Sequence, residues 1–135
     1  DDKIVKLFPL EEFIPAVGQG SVAIEIASSL DKNKKDKIRL LTNHMETEFC
    51  LLAERGFLKT LEGGCTAPIG ALATFVEDDI LFKGVLFSID GKEKIEIEKT
   101  VPMQDWKKLG FYCAKEILEN GGTALMKSIK ETLKK

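Results

Sequence analysis

Three apolar-rich segments divided by turn-forming residues predict three consecutive strands in the second half of the chain. The segments are residues 67–76, 80–89 and 94–101. Turn-forming residues separate them, with an acidic triplet at 77–79 and Asp90-Gly91 between the second and third. Strands joined by connections this short pair antiparallel with their sequence neighbours, so we expect an antiparallel meander.

The third strand shows which face of this sheet should be buried. Apolar residues occupy one parity, at Ile95, Ile97 and Val101. The other parity is polar and comprises Lys94, Glu96, Glu98 and Thr100. One face is therefore expected to contact water, while the other needs a cover of helices.

Apolar residues at spacings of three to five predict one or two amphipathic helices between residues 38 and 61. The stripe comprises Leu41, Met45, Phe49, Leu52 and Phe57, and is widened by Leu51 and Leu58. Gly63-Gly64 ends this pattern, because glycine accepts the left-handed backbone of a helix C-terminus. Cys65 should therefore lie just past a helix end.

Two further helical stripes follow Pro102 and are separated by Asn120-Gly121-Gly122, a helix-stopping sequence. The first comprises Trp106, Leu109, Cys113 and Ile117, and the second comprises Leu125, Met126, Ile129 and Leu133. The fold class expected from about residue 43 onward is α+β, with a three-stranded antiparallel sheet covered by helices.

The first 42 residues give a less regular pattern. Residues 1–16 contain two prolines among apolar residues, which favours an irregular or short extended segment. Residues 21–26 alternate in the period-2 pattern of a strand, with Val22, Ile24 and Ile26 on one side. The polar run 31–37 predicts a solvated loop or a first helical turn. The chain opens without Met on Asp1-Asp2, and we expect it to be a piece of a longer protein.

Composition argues against two classes of partner. The 22 acidic and 20 basic residues give a net charge of -2, which argues against nucleic acid. No apolar run approaches the roughly 20 residues that cross a bilayer, so we expect no membrane partner. The three cysteines are widely spaced and form no metal-binding pattern with the single histidine, so we expect no metal site and a reducing compartment. We expect the cytoplasm, with a plastid-like organelle as the alternative.

Residues 18–23 formally fit the glycine fingerprint of dinucleotide-binding proteins. That fingerprint needs a preceding strand and a following helix, so that the pyrophosphate meets the helix N-terminus. Here the predicted strand follows the glycines and Pro15 precedes them. We therefore interpret Gly18 and Gly20 as a device for a tight turn or close backbone approach.

Cys65 has the most distinctive surroundings of any candidate residue. Gly63 and Gly64 remove side-chain bulk beside its thiol. From the residues alone, a lone cysteine is more often a small core residue than a nucleophile. A thiol-based redox or acyl-transfer enzyme would need a nearby base or resolving thiol, and the chain offers only His44 and Cys50. We expect His44 on a helix surface or at a helix cap, and Cys50 within the core.

Two other residues leave alternatives open. Cys113 falls within a helical stripe and is expected in or near the core. Arg55 could bind a carboxylate through its guanidinium, although a solvated or paired charge is the commoner interpretation. A stand-alone interaction module, in which Cys65 has no chemical role, is the alternative from another functional class.

Three ordered segments together carry a resemblance to a known family. They are Pro15–Ser21, Ala53–Leu58 and Leu61–Gly70. In order and spacing, they resemble the C-terminal signature of the hydroxymethylbilane synthases, also called porphobilinogen deaminases. The resemblance covers nearly the whole chain from about Leu10.

The family resemblance implies a domain organisation. Residues 1–42 would be the tail of a second domain and a segment returning to a first, while 43–135 would form the C-terminal domain carrying the cofactor cysteine. The missing domains of the same chain would be its partners. The full enzyme would be a monomer, whereas this chain alone could self-associate.

The same resemblance implies an activity. The enzyme would join four porphobilinogen molecules, with loss of ammonia, into 1-hydroxymethylbilane on a dipyrromethane primer. Cys65 matches the residue that holds this primer through a thioether, Gly64 lies beside it, and Gln19 and Gly20 match residues that contact the pyrrole chain. The catalytic aspartate lies in the family's first two domains, so we expect no catalytic residue here. We expect the isolated chain to be inactive and to lack the primer.

Overall fold

Three antiparallel strands in the order β1-β2-β3 form the sheet of the computed structural model, which describes residues 3–10, 12–62 and 67–133. The strands are β1 (Ile69–Val76), β2 (Asp79–Phe87) and β3 (Lys94–Pro102). Each pairs with its sequence neighbour, so the predicted meander is confirmed.

Register aligns the apolar residues of the three strands on one face. Ala71 lies opposite Gly84, which lies opposite Ile97. In a neighbouring row, Ala73 faces Phe82. These residues are buried, whereas Glu96 and Glu98 on the opposite parity of β3 are exposed. The predicted division of β3 into a wet and a covered face is confirmed.

Within the described part of the chain, four α-helices accompany the sheet: α1 (Lys32–Thr42), α2 (Met45–Thr60), α3 (Trp106–Ile117) and α4 (Thr123–Thr132). Helices α2 and α3 pack against each other; α2 contacts β1, and α3 contacts β2 and β3. No helix within the described residues is long and apolar enough to cross a membrane. The expected α+β class, with helices covering a three-stranded sheet, is confirmed.

The core between the helices and the sheet is centred on Phe57 of α2. Its side chain is fully buried, and its ring centroid lies 5.2 Å from that of Phe82 on β2. Gly84 makes room for this ring, because a Cβ at that position would lie 2.7 Å from Cζ of Phe57. Leu109, Cys113 and Ile117 supply the buried stripe of α3, as their spacing predicted.

The break between α3 and α4 lies at the predicted helix-stopping sequence. A π-type turn covers Leu118–Gly122, and Asn120 and Gly121 within it leave the helical conformation. Gly121 has φ +104°, which a side chain would disfavour. This kink returns the chain to the core, where Leu125, Met126 and Ile129 of α4 are buried.

The predicted strand at residues 21–26 was wrong. These residues have no regular secondary structure, and Val22 and Ile24 are 93% and 59% exposed. A strand needs a neighbour for its backbone groups, and within the described residues no segment pairs with this one.

The helical pattern predicted from residue 38 also begins in a different place. Helix α1 begins earlier, at Lys32, because the Asp31 side chain accepts hydrogen bonds from the amides of Asn33 and Lys34. It has no buried residues, and Leu41 of the predicted stripe is 82% exposed. Of these two helices only α2 has buried residues, which are Cys50, Ala53, Glu54 and Phe57. The predicted stripe was therefore only partly right, because Met45 and Leu52 are 62% and 42% exposed.

Candidate functional site

The loop that carries Cys65 connects α2 to β1, and both of its described flanks are attached to the core. On one side Leu61 is 2% exposed, and its amide donates to the Phe57 carbonyl at 3.1 Å. On the other, the Pro68 carbonyl accepts from the Phe87 amide at 3.0 Å. Residues 63–66, including the candidates Gly64 and Cys65, lie outside the described residues. Their predicted roles stay predictions.

An ion pair joins the start of this loop to α4. Glu62 has a left-handed backbone with φ +52°, and its carboxylate accepts a 2.6 Å hydrogen bond from Nζ of Lys130. The hydrogen bond from Lys130 lowers the pKa of the Glu62 carboxyl. Because the Glu62 side chain is 77% exposed, the pair adds little to the free energy of unfolding.

The candidates Gln19 and Gly20 lie in a double turn. The Gln19 amide donates to the Ala16 carbonyl at 3.0 Å, and the Ser21 amide donates to the Gly18 carbonyl at 3.1 Å. Gly18 and Gly20 adopt φ +71° and +81°, so both turns use a conformation that favours glycine. Gln19 and Gly20 are exposed, and among the described residues none beyond the chain neighbours approaches the position that a Cβ on Gly20 would take.

The segment before this double turn is bound to the free edge of β1. Ala16 forms an antiparallel bridge with Gly70, and the Ala71 amide donates to the Pro15 carbonyl at 3.0 Å. Gly70 permits the approach, because a Cβ there would lie 3.0 Å from the carbonyl oxygens of Ile14 and Pro15. Residues 15–18 are thus part of the same packed unit as the sheet.

Glu54 of α2 also binds the double turn, through its side-chain carboxylate. Its side chain accepts hydrogen bonds from the Gly18 amide at 2.8 Å and from the Ala73 amide at 2.9 Å. The residue is 6% exposed, and burial raises the pKa of its carboxyl, while the two amide donors oppose that rise. The carboxylate therefore bridges the turn and the middle of β1.

Sequence reasoning missed Glu54, because a charged side chain in a helix is usually solvated or paired. A signal was present in the spacing, because the buried residues of α2 are Cys50, Ala53, Glu54 and Phe57. Glu54 thus occupies a core position of an amphipathic helix. A carboxylate there requires buried hydrogen-bond donors, which periodicity alone cannot locate.

A cleft of about 410 Å³ lies between the turn, the start of α2 and β1. Gln19 lines it together with His44, Glu46 and Glu54. Its described lining contains two carboxylates and neither lysine nor arginine. This charge disfavours a polycarboxylate ligand held by the cleft alone.

The other candidate residues have structural placements. His44 is the N-cap of α2, where its Nδ1 accepts from the Thr47 amide at 3.3 Å, which confirms the capping interpretation. Cys50 and Cys113 are buried as predicted, and burial raises the pKa of each thiol to about 11. Arg55 is exposed on α2.

Within the described residues, His, Cys, Asp and Glu side chains form no group of three or more that could hold a metal ion.

Comparison with known proteins gives this arrangement a family. The family model for the C-terminal domain of porphobilinogen deaminase matches residues 48–119. This span is more than half of the chain and includes nearly all of α2, the Cys65 loop, the sheet and α3. The chain belongs to the porphobilinogen deaminase family. The fold expected from the resemblance is thus the fold observed.

Curated porphobilinogen deaminases from several bacteria match almost the whole chain. The protein of Desulfosudis oleivorans is 44% identical over 131 residues, which cover 97% of this chain and 42% of that protein. The protein of Cytophaga hutchinsonii is 42% identical over 135 residues, covering 100% of this chain and 43% of its own length. The chain therefore spans less than half the length of these porphobilinogen deaminases.

Proposed function

We propose that this chain supplies the C-terminal part of a hydroxymethylbilane synthase, a transferase of tetrapyrrole and heme biosynthesis. The enzyme joins four porphobilinogen molecules head to tail, each with loss of ammonia, on a dipyrromethane primer attached to Cys65. Water then releases the tetrapyrrole from the primer as 1-hydroxymethylbilane. The observation that carries the proposal is the family match over residues 48–119, which includes Cys65 in its helix-loop-strand connection.

Cys65 holds the primer through a thioether in this proposal. A thiolate is a soft nucleophile suited to bond formation with an electrophilic carbon, and the resulting thioether is stable at neutral pH because the sulfur leaves poorly. The attached primer supplies the end to which the first pyrrole is joined, and each added pyrrole then supplies the end for the next. Leu61 and Pro68 anchor the two described flanks of the loop. Gly64 precedes Cys65 directly in the sequence and carries no side chain.

Gln19 and Gly20 contact the pyrrole chain in this proposal. Both are exposed, and the double turn presents them beyond the edge of β1. Gly20 suits a close approach, because beyond its two chain neighbours no atom of the described residues lies within 4 Å of the position that a Cβ would occupy. Its backbone can therefore meet a flat ring without side-chain interference.

The remaining parts of the site come from the rest of the full-length protein. A polypyrrole with acetate and propionate side chains needs several fixed cations, and the cleft beside Gln19 has neither lysine nor arginine in its described lining. The longer relatives have ample chain to supply them. We propose that this chain alone neither assembles the primer nor turns over porphobilinogen.

Exposed apolar side chains in residues 1–42 suggest that this part of the chain contacts the rest of the full-length protein. They include Val5, Leu7, Phe13, Val22, Leu40 and Leu41, each more than 60% exposed. We propose that residues 1–42 belong to the first two domains and that 43–135 form the third. Alone, the chain should self-associate through these exposed side chains, and a monomeric mass at high concentration by light scattering would count against that expectation.

The first test is the intact mass of the full-length protein and its Cys65→Ser variant, with a colour test for pyrroles. We expect two pyrrole units on the wild type and none on the variant. Cys50→Ala is the matched control, because it removes a buried thiol and should retain the primer. A wild type without pyrrole but with a reactive Cys65 would instead favour the redox enzyme or the interaction module.

A further inference from the structure

The Glu54 carboxylate joins two segments that are remote in sequence. Its Oε2 accepts from the Gly18 amide, 36 positions away, and its Oε1 accepts from the Ala73 amide, 19 positions away. Both oxygens are therefore used by backbone donors. Hydrogen bonds to an ionised carboxylate are about twice as strong as neutral ones, and a buried carboxylate persists only where such donors compensate its lost hydration.

Leu51 reinforces this attachment from the same helix. A Cβ on Gly18 would lie 3.1 Å from Cδ1 of Leu51, so the turn packs closely on α2. With the Pro15 carbonyl bound to the Ala71 amide, residues 15–18 are fixed to β1 and to α2. Gln19 and Gly20 follow directly and are exposed.

We propose that Glu54 is a positioning residue that sets the placement of Gln19 and Gly20 toward the pyrrole chain. The inference rests on the proposed function of those two residues and adds a residue that need not touch the ligand. Glu54 acts through the Gly18 amide, and Gly18 directly precedes Gln19 in the chain. Since Ala73 is in β1, the same carboxylate fixes the turn relative to the domain that carries Cys65.

A glutamine at position 54 tests this role with little change in volume. Its amide oxygen can accept from one of the two backbone donors, while its NH₂ group would face the other donor. In the full-length protein, Glu54→Gln should raise the KM for porphobilinogen on the order of tenfold, with a smaller change in kcat. Glu48→Gln is the matched control, because Glu48 is also a two-oxygen acceptor on α2 but binds Arg39 and Asn43. Its KM should not change.

A double-mutant cycle with Gln19→Ala separates positioning from a general structural role. If Glu54 acts through Gln19, the KM effect of Gln19→Ala should become much smaller in the Glu54→Gln background. Independent, additive effects would overturn the inference. So would a Glu54→Gln variant that loses thermal stability and kcat while its KM stays the same.

Gly18→Ala provides a second test that leaves α2 intact, and it decides the question if Glu54→Gln does not fold. A side chain at φ +71°, close to Leu51, should displace the turn and raise the KM in the same way. An unchanged KM would overturn the inference. A wild type that carries no primer and consumes no porphobilinogen would overturn the proposed function and, with it, this inference. Normal turnover by the wild type, with additive KM effects of Glu54→Gln and Gln19→Ala, would overturn this inference alone.

Discussion

Gly110 of α3 lies directly against the backbone carbonyl oxygen of Ala53 on α2. A Cβ on Gly110 would overlap that oxygen and approach the Phe57 amide to 2.7 Å. The two helices therefore meet backbone to backbone at this point. This close approach packs α3 against α2, the helix that also contacts Gly18 through Glu54 and Leu51.

Gly110→Ala should destabilise the 135-residue chain by about 1–3 kcal/mol, because the two helices must separate to admit the methyl group. Gly56→Ala is the matched control on the facing helix, since its nearest neighbour would be Cα of Gly110 at 4.0 Å. Alanine is the better helix former, so that control should be neutral or more stable by about 0.5–1 kcal/mol. Urea unfolding followed by circular dichroism measures both; equal effects would contradict the prediction.

Phe57→Ala should reduce the free energy of unfolding by about 3–5 kcal/mol, because it leaves a cavity beneath Phe82 and Gly84. The side chain of Phe57 is fully buried, whereas that of Phe111 on α3 is 43% exposed. Phe111→Ala should therefore cost much less in the same urea titration. A loss at Phe57 no larger than that at Phe111 would show that the core is centred elsewhere.

The raised pKa of the Glu54 carboxyl should make the contribution of Glu54 to the free energy of unfolding depend on pH. Burial favours the protonated form in the folded state, so the folded protein binds this proton more tightly than the unfolded chain. The contribution of Glu54 to stability is then greatest below the unfolded pKa, roughly 4.3, and falls as pH rises through the folded pKa.

Glu54→Gln isolates this contribution from those of the other carboxyls. The stability of the wild type relative to this variant should decline as pH rises from about 4 through the folded pKa and level off above it. Urea unfolding of both proteins at a series of pH values measures the difference. A difference that grows with pH across that range would mean that the hydrogen bonds from Gly18 and Ala73 lower the pKa more than burial raises it.

Cys50 and Cys113 should resist alkylation in the folded chain. Both are buried with a thiol pKa of about 11, so near pH 8 their thiolate fraction is roughly two orders of magnitude below that of an ordinary exposed cysteine. Iodoacetamide labelling followed by peptide mass spectrometry measures each site separately, with the unfolded chain in urea as the control. Burial disfavours Cys50 as the resolving thiol of a redox enzyme, and fast labelling of Cys50 at pH 8 would contradict that conclusion.

Local chemistry explains which elements could be predicted from the sequence. The alternation of Ile95 and Ile97 with glutamates fixed the covered face of β3, and the stripe from Leu109 to Ile117 fixed that of α3. The cap at His44 and the break at Asn120–Gly122 follow from the same short-range preferences. The strand predicted at 21–26 failed because alternation reports a tendency to pair and cannot supply a partner.

The sequence by itself determined the three-stranded meander, its helical cover and the connection in which Cys65 lies, because periodicity and turn chemistry act over a few neighbouring residues. Only the tertiary structure decided that Glu54 is buried and that it ties the Gly18 turn to β1. Its two donors come from positions 36 and 19 residues away. Their meeting depends on how α2, the turn and the sheet pack together, which no local pattern in the chain encodes.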